Sequence, residues 1–105
     1  MAYLQRVLDD RIERRTKGGK KDRGDLSGWR HNGMRVVAEL KNVVKLNLAG
    51  WVTEAEIERG NDDADIALVI HKRVGKGPKQ HGEQYVTMTL DNLMVILGAG
   101  ATPAD

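Results

Sequence analysis

The sequence predicts an α/β domain built on a mixed β-sheet core flanked by helices, and three observations carry that prediction. Residues 66–70, Ile-Ala-Leu-Val-Ile, are an unbroken apolar run of strand length, the composition of a central strand covered on both faces. Residues 34–40, Met-Arg-Val-Val-Ala-Glu-Leu, read as a second strand, buried on one face and partly on the other, and between the two Leu48, Trp51, Val52 and Ala55 form a helical stripe. Strand, helix, strand over residues 34–70 is a βαβ unit, whose strands run parallel. Finally, His31-Asn32-Gly33 is a turn signal between residues 26–30 and 34–41. The hairpin it predicts adds an antiparallel neighbour to the parallel pair and makes the sheet mixed.

The remaining elements follow in chain order. Tyr3, Leu4, Val7 and Leu8 share one stripe, which predicts a short helix over residues 2–10. Residues 11–16 are polar and read either as an extension of that helix or as an edge strand. Lys17-Gly18-Gly19-Lys20-Lys21 reads as a flexible basic loop. Asn47 is placed to cap a helix over 48–59, with Gly60 just past its end. Residues 75–83, rich in Gly and Lys, are expected to be a mobile loop. A strand is expected at 85–89 and a short apolar helix at 91–97, closed by Gly98. Residues 1–98 therefore read as one domain, followed by a disordered tail at 99–105.

Composition narrows the function. The chain of 105 residues has no Phe and no Cys, so aliphatic residues must fill the core, and disulfides and thiolate metal sites are excluded. No apolar run approaches the roughly 20 residues that span a bilayer, and no signal-peptide pattern occurs, so a soluble intracellular protein is expected. The formal charge is only +2, but it is segregated. Residues 11–23 and 72–81 are basic, whereas Glu54, Glu56, Glu58, Asp62, Asp63 and Asp65 make 47–65 acidic. A basic side of this kind suits a polyanion.

The chemistry concentrates in Asp25 and in Glu39-Leu40-Lys41. Strand alternation puts Glu39 and Lys41 on one face. Two carboxylates from Asp25 and Glu39 would supply hard oxygen ligands, and Lys41 a positive charge for a phosphate or an attacking water. Whether Asp25 joins Glu39 depends on the hairpin register. A two-residue turn at Asn32-Gly33 makes facing residue numbers sum to 65 and turns Asp25 away from Glu39. A three-residue loop, His31-Asn32-Gly33, makes them sum to 64 and sets Asp25 opposite Glu39, about 5 Å away. The metal site is expected to require the second register. The alternative reading of these residues is a surface ion cluster in which Lys41 neutralises Glu39.

These residues also carry a resemblance. Gly24-Asp25, then Val36-Val37-Ala38-Glu39-Leu40-Lys41, then a helix and an apolar strand, resembles the PD-(D/E)XK nuclease superfamily. The longer string resembles small phage Holliday junction resolvases of actinobacterial hosts: Asp22-Arg23-Gly24-Asp25-Leu26, Leu48-Ala49-Gly50-Trp51, Glu54-Ala55-Glu56 and His71-Lys72-Arg73. It covers the chain from Tyr3 to Leu97. The resemblance implies a restriction-endonuclease-like sheet and metal-dependent hydrolysis of branched DNA by a homodimer in the cytoplasm of a phage-infected bacterium. It implies Asp25 and Glu39 as ligands of Mg²⁺ or Mn²⁺ and Lys41 as the residue that positions or activates water. Gly24 stands where the motif's name has proline. The family also implies a further acid from a longer first helix, for which Asp9, Asp10 and Glu13 are the candidates here. The alternatives are a nuclease directed at flaps, nicks or ordinary duplex, and a DNA-binding module without catalysis.

For DNA contact the expected residues are Arg15, Lys17, Lys20, Lys21 and Arg23 beside Asp25, and Lys72, Arg73 and Lys76 beyond the second parallel strand, where open α/β sheets place ligands. His71 is expected to be structural or to touch phosphate, since the three histidines lack zinc spacing. Gly75-Lys76-Gly77 lacks the remainder of a nucleotide-binding loop. Trp51 is expected to pack helix on sheet, and Leu93, Met94, Ile96 and Leu97 to serve the core or a dimer interface.

Overall fold

The two expected central strands lie side by side in parallel, and the rest of the chain is arranged around them. The computed structural model describes residues 2–16 and 23–98. The expected contacts Lys17, Lys20 and Lys21 and the expected tail at 99–105 fall outside the described residues. The elements in order are α1 (Ala2–Val7), β1 (Glu13–Arg14), β2 (Leu26–Ser27), β3 (Arg30–His31) and β4 (Met34–Lys41). They continue with α2 (Leu48–Asn61), β5 (Ile66–His71), a 3-10 segment (Pro78–Glu83), β6 (Tyr85–Thr87) and α3 (Leu90–Ile96). The main sheet has the order β3-β4-β5-β6, with β4 parallel to β5 and both outer strands antiparallel to their neighbours. The protein is thus an α/β domain with a mixed sheet and helices.

Alternation along β4 and β5 divides the core. Val36, Ala38, Ile66 and Leu68 face one way, joined by Ile12 and Leu26 and covered by Leu4, Val95 and Ile96. On the other face Ala67 and Val69 meet Trp51 and Ala55 of α2, so Trp51 packs helix on sheet as its spacing implies. The helix starts where Asn47 predicts, the side chain accepting the Gly50 N–H at 3.3 Å. It runs two residues past the expected stop at Arg59. Asp62 ends it, its carboxylate held by Arg15 and Arg35, and Asp63 takes the left-handed position expected of Gly60. None of the helices among the described residues is long and apolar enough to cross a membrane.

Beyond Thr87 the β6 ladder is replaced by a side chain. Buried Asn92 of α3 accepts the Ala67 N–H at 3.0 Å and donates to Glu56 and Thr89, both at 2.7 Å. The Asn92→Ala variant would leave the Ala67 N–H buried and unpaired. Its expected cost is about 1–3 kcal/mol, read as a lower urea midpoint at unchanged m-value.

Several local expectations are corrected. Helix α1 is shorter than 2–10, because Asp9 accepts the Arg11 N–H and pairs with its guanidinium, turning the chain so that Ile12 enters the core. The edge-strand reading of 11–16 is the one realised, as Glu13 and Arg14 pair with Ser27 and Leu26. Residues 75–83, expected as an irregular mobile loop, contain the 3-10 segment begun by Pro78. The strand expected at 85–89 ends at Thr87, because Thr89 caps α3.

The hairpin register is the most consequential correction. Arg30 pairs with Arg35 and His31 with Met34, the two-residue turn summing to 65, with both Asn32 and Gly33 at positive φ. The three-residue loop required for an Asp25–Glu39 facing pair does not form. Continued strictly, this register would carry Asp25 away from Glu39, but the strand does not continue. At Gly28 the chain leaves β4, pairs through Leu26 and Ser27 with β1, and returns so that the Asp25 N–H bonds the Ala38 carbonyl at 3.0 Å.

Candidate metal and phosphate site

Glu39 and Lys41 project from the α2 face of β4, two residues apart as alternation demands. Glu39 is buried, and one of its carboxylate oxygens lies 3.6 Å from Lys41 Nζ. The closer partner of that ammonium is Glu54 of α2, at 2.7 Å. Glu54 and Glu58 are one helical turn apart and follow Trp51 and Ala55, so α2 turns them toward β4. Ligand oxygens of Glu39, Glu54 and Glu58 all lie within 4.8 Å of one another. Glu58 is only 1% exposed, whereas the Glu54 side chain is 44% exposed and opens the group to solvent.

Burial pushes the Glu39 carboxyl above its ordinary value. The charges of Asp25 and Glu54 push the same way, while hydrogen bonding with Glu58 and the charge of Lys41 oppose them. A hydrogen bond between two carboxyls exists only when one holds a proton. With both ionised, Glu39 Oε2 is buried with no hydrogen-bond partner. Lys41 is held above its ordinary value, chiefly by its hydrogen bond to Glu54.

Asp25, the other expected ligand, approaches the end of β4 from the edge of the sheet and is not one of these three grouped carboxylates. Its Oδ2 accepts the Leu40 N–H at 2.8 Å, using an edge donor that no strand covers. Gly24 makes this possible: it sits at φ +92°, where a side chain would press on Val37 Cγ1 at 2.8 Å. A proline there, fixed near φ −65°, could not take that conformation. Asp25 thus lines the cleft with Lys41 and its charge acts on Glu39, though it is not across from Glu39 in the register expected.

The chain matches no family model, no characterised protein and no solved structure among those compared.

A cleft of about 570 Å³ opens at the carboxyl ends of β4 and β5, lined by Asp25 and Lys41 together with Arg14, His71, Lys72 and Lys76. Burial lowers the His71 pKa, which favours a neutral ring, set between the tilted rings of Trp51 and Tyr85 with Nε2 2.7 Å from Thr87 Oγ1. Gln84 shapes the rim, accepting the Arg73 N–H and donating to the Lys76 carbonyl. Of the expected DNA contacts, Lys72 and Lys76 line this cleft and Arg23 is exposed. Arg73 stacks over Tyr85 and pairs with Glu83, which Lys76 also approaches at 3.4 Å. Arg15 points elsewhere: its guanidinium bonds the Leu26 carbonyl and buried Asp62. The acids expected from the N-terminal region are not in the metal-ligand group, and Asp9 is paired with Arg11.

Sequence reasoning missed Glu54 and Glu58. The signal was present, since 51, 54, 55 and 58 share one helical face, and a glutamate at a position spaced like the core is out of place on a merely solvated surface.

Proposed function

We propose that this protein is a Mg²⁺- or Mn²⁺-dependent endonuclease that hydrolyses phosphodiester bonds in DNA, with branched DNA such as a four-way junction as substrate. The observation that carries the reading is the Glu39–Lys41 pair at the end of β4, where Lys41 lines a basic cleft together with Asp25. The parallel pair joined by α2, with Glu-x-Lys ending its first strand, is in keeping with a restriction-endonuclease-like core.

The residues fit a hard divalent cation. The donors are carboxylate oxygens, and with Glu39 and Glu58 both ionised the buried Glu39 Oε2 lacks a hydrogen-bond partner. Bound there, the cation would polarise a phosphate oxygen and lower the pKa of a coordinated water. Asp25 and Glu39 would hold it, while Lys41 offsets the charge that grows on the phosphate as water attacks. Lys72 and Lys76 would hold the neighbouring backbone, and each phosphate neutralised adds about 0.9 to the salt slope on duplex DNA. Two cuts placed symmetrically in a junction require two sites in matching orientation, so the reading includes a homodimer.

The test is cleavage of a synthetic four-way junction, a flap and a linear duplex with each metal. Wild type is expected to nick the junction in symmetric pairs. Asp25→Asn is expected to reduce the rate by about 100-fold or more through loss of a charged ligand. Equal cutting of linear duplex would reject junction specificity. No cutting with either metal, with junction binding retained, would favour a non-catalytic binding module.

A further inference from the structure

The acidic group between β4 and α2 contains more negative charge than its cation offsets. Glu39, Glu54 and Glu58 converge, Asp25 acts on Glu39 from the strand edge, and Lys41 is the ammonium paired with the group. An acidic cluster alone does not define a site. Here a second observation points to a ligand: the Glu39 side chain is only 8% exposed, and with Glu39 and Glu58 both ionised no donor reaches its Oε2, which is buried within the group. Leaving an ionised oxygen in that condition is costly unless a cation comes to it. Glu54, the exposed member, provides the way in from solvent.

We propose that Glu39, Glu54 and Glu58 form a divalent-cation site, and that the cation takes the place of the Lys41 ammonium. Glu54 at 2.7 Å and Glu39 at 3.6 Å now share their charge with Lys41, which also lines the basic cleft. A cation bound by these carboxylates outcompetes a single ammonium and turns Lys41 out toward the cleft. Metal binding and delivery of Lys41 to a phosphate are then one event. The inference deepens the nuclease reading by assigning the missing acids to α2 rather than to the N-terminal region, and by making Lys41 a residue that the metal releases.

The test is calorimetric titration of MnCl₂ into the metal-stripped full chain, without DNA. Glu54→Gln and Glu58→Gln are expected to weaken binding by about tenfold or more, as loss of a charged ligand does. Lys41→Met is expected to tighten it by about fivefold, because the competing charge is gone. Glu54 is exposed enough for its variant to fold, so it decides the ligand question even if Glu58→Gln does not. The proposal is overturned if wild type binds no Mn²⁺, if Glu54→Gln binds as wild type does, or if Lys41→Met binds no more tightly. Loss of junction cleavage plays no part in this readout. An uncleaved junction with these affinities intact would reject the nuclease reading and leave the cation site standing.

Discussion

Gly28→Ala is expected to lower the melting temperature by about 10 °C or more and, where any folded protein remains, to weaken Mn²⁺ binding. Gly28 stands at φ +78°, and a Cβ there would lie 2.2 Å from the Arg11 carbonyl oxygen and 3.0 Å from its carbon. Both are backbone atoms, so neither can rotate aside. The left-handed conformation alone costs about 1–2 kcal/mol for an L-residue, and overpacking adds about 1–3 kcal/mol. In a domain of this size each kcal/mol moves the midpoint by roughly 4–8 °C. Gly33→Ala is the control: it has nearly the same φ, +81°, and nothing within 4 Å. It should show the conformational cost without the clash, about 1–2 kcal/mol. If the two variants melt alike, the close approach at Arg11 is not what fixes Gly28. The functional part of the prediction follows from connectivity. Gly28 is where the chain leaves β4 to pair with β1, and that departure brings Asp25 back to Ala38 and Leu40.

That detour also explains what could be read in the sequence. The two central strands as elements, their connecting helix and the Asn47 cap were legible because each depends on residues within a few positions of one another. The apolar run at 66–70 has one physical solution, burial on both faces, and a side-chain acceptor before a helix has one obvious use. The route of Asp25 depends on contacts between separate segments. The Asn32-Gly33 turn is a two-residue turn, and extending its register straight back would carry Asp25 away from Glu39. Arg14 pairing with Leu26, and Ile12 filling the core, help pull the strand aside. Ile12 was hidden in a polar stretch because one apolar residue has no period. Glu58 was hidden for the opposite reason: its position repeats with Trp51 and Ala55, but its type suggests solvent. Arg15 looked like part of a basic surface, and its partner Asp62 lies 47 residues away, beyond what local pattern can connect.

Glu39→Gln is expected to stabilise the protein in chelator and to leave it less stable than wild type in saturating Mn²⁺. Burial pushes the Glu39 carboxyl above its ordinary value of 4.5, with Asp25 and Glu54 adding to the shift. For a carboxyl raised in the folded state, the proton is bound both folded and unfolded at pH below the unfolded value, and nothing is lost there. As pH rises from 4.5 through the folded value, the unfolded chain ionises first and stability falls. Above the folded value the whole penalty is present. The amide removes it, with an expected gain of about 1–2 kcal/mol, the scale on which an unsatisfied buried polar or charged group counts. Lys41 loses little, because its nearer partner is Glu54. The gain should disappear when both proteins are compared below pH 4.5. With Mn²⁺ at about 100 times the wild-type dissociation constant, wild type gains about 2.7 kcal/mol by mass action, and the amide variant, its binding weakened about 100-fold by loss of a buried charged ligand, gains only about 0.4 kcal/mol. The order of the two melting temperatures therefore inverts between chelator and metal. A variant less stable in chelator at neutral pH would mean that Lys41 already compensates the Glu39 charge. Equal gains from Mn²⁺ would remove Glu39 from the ligand set and, with it, the link between Lys41 and the glutamates of α2.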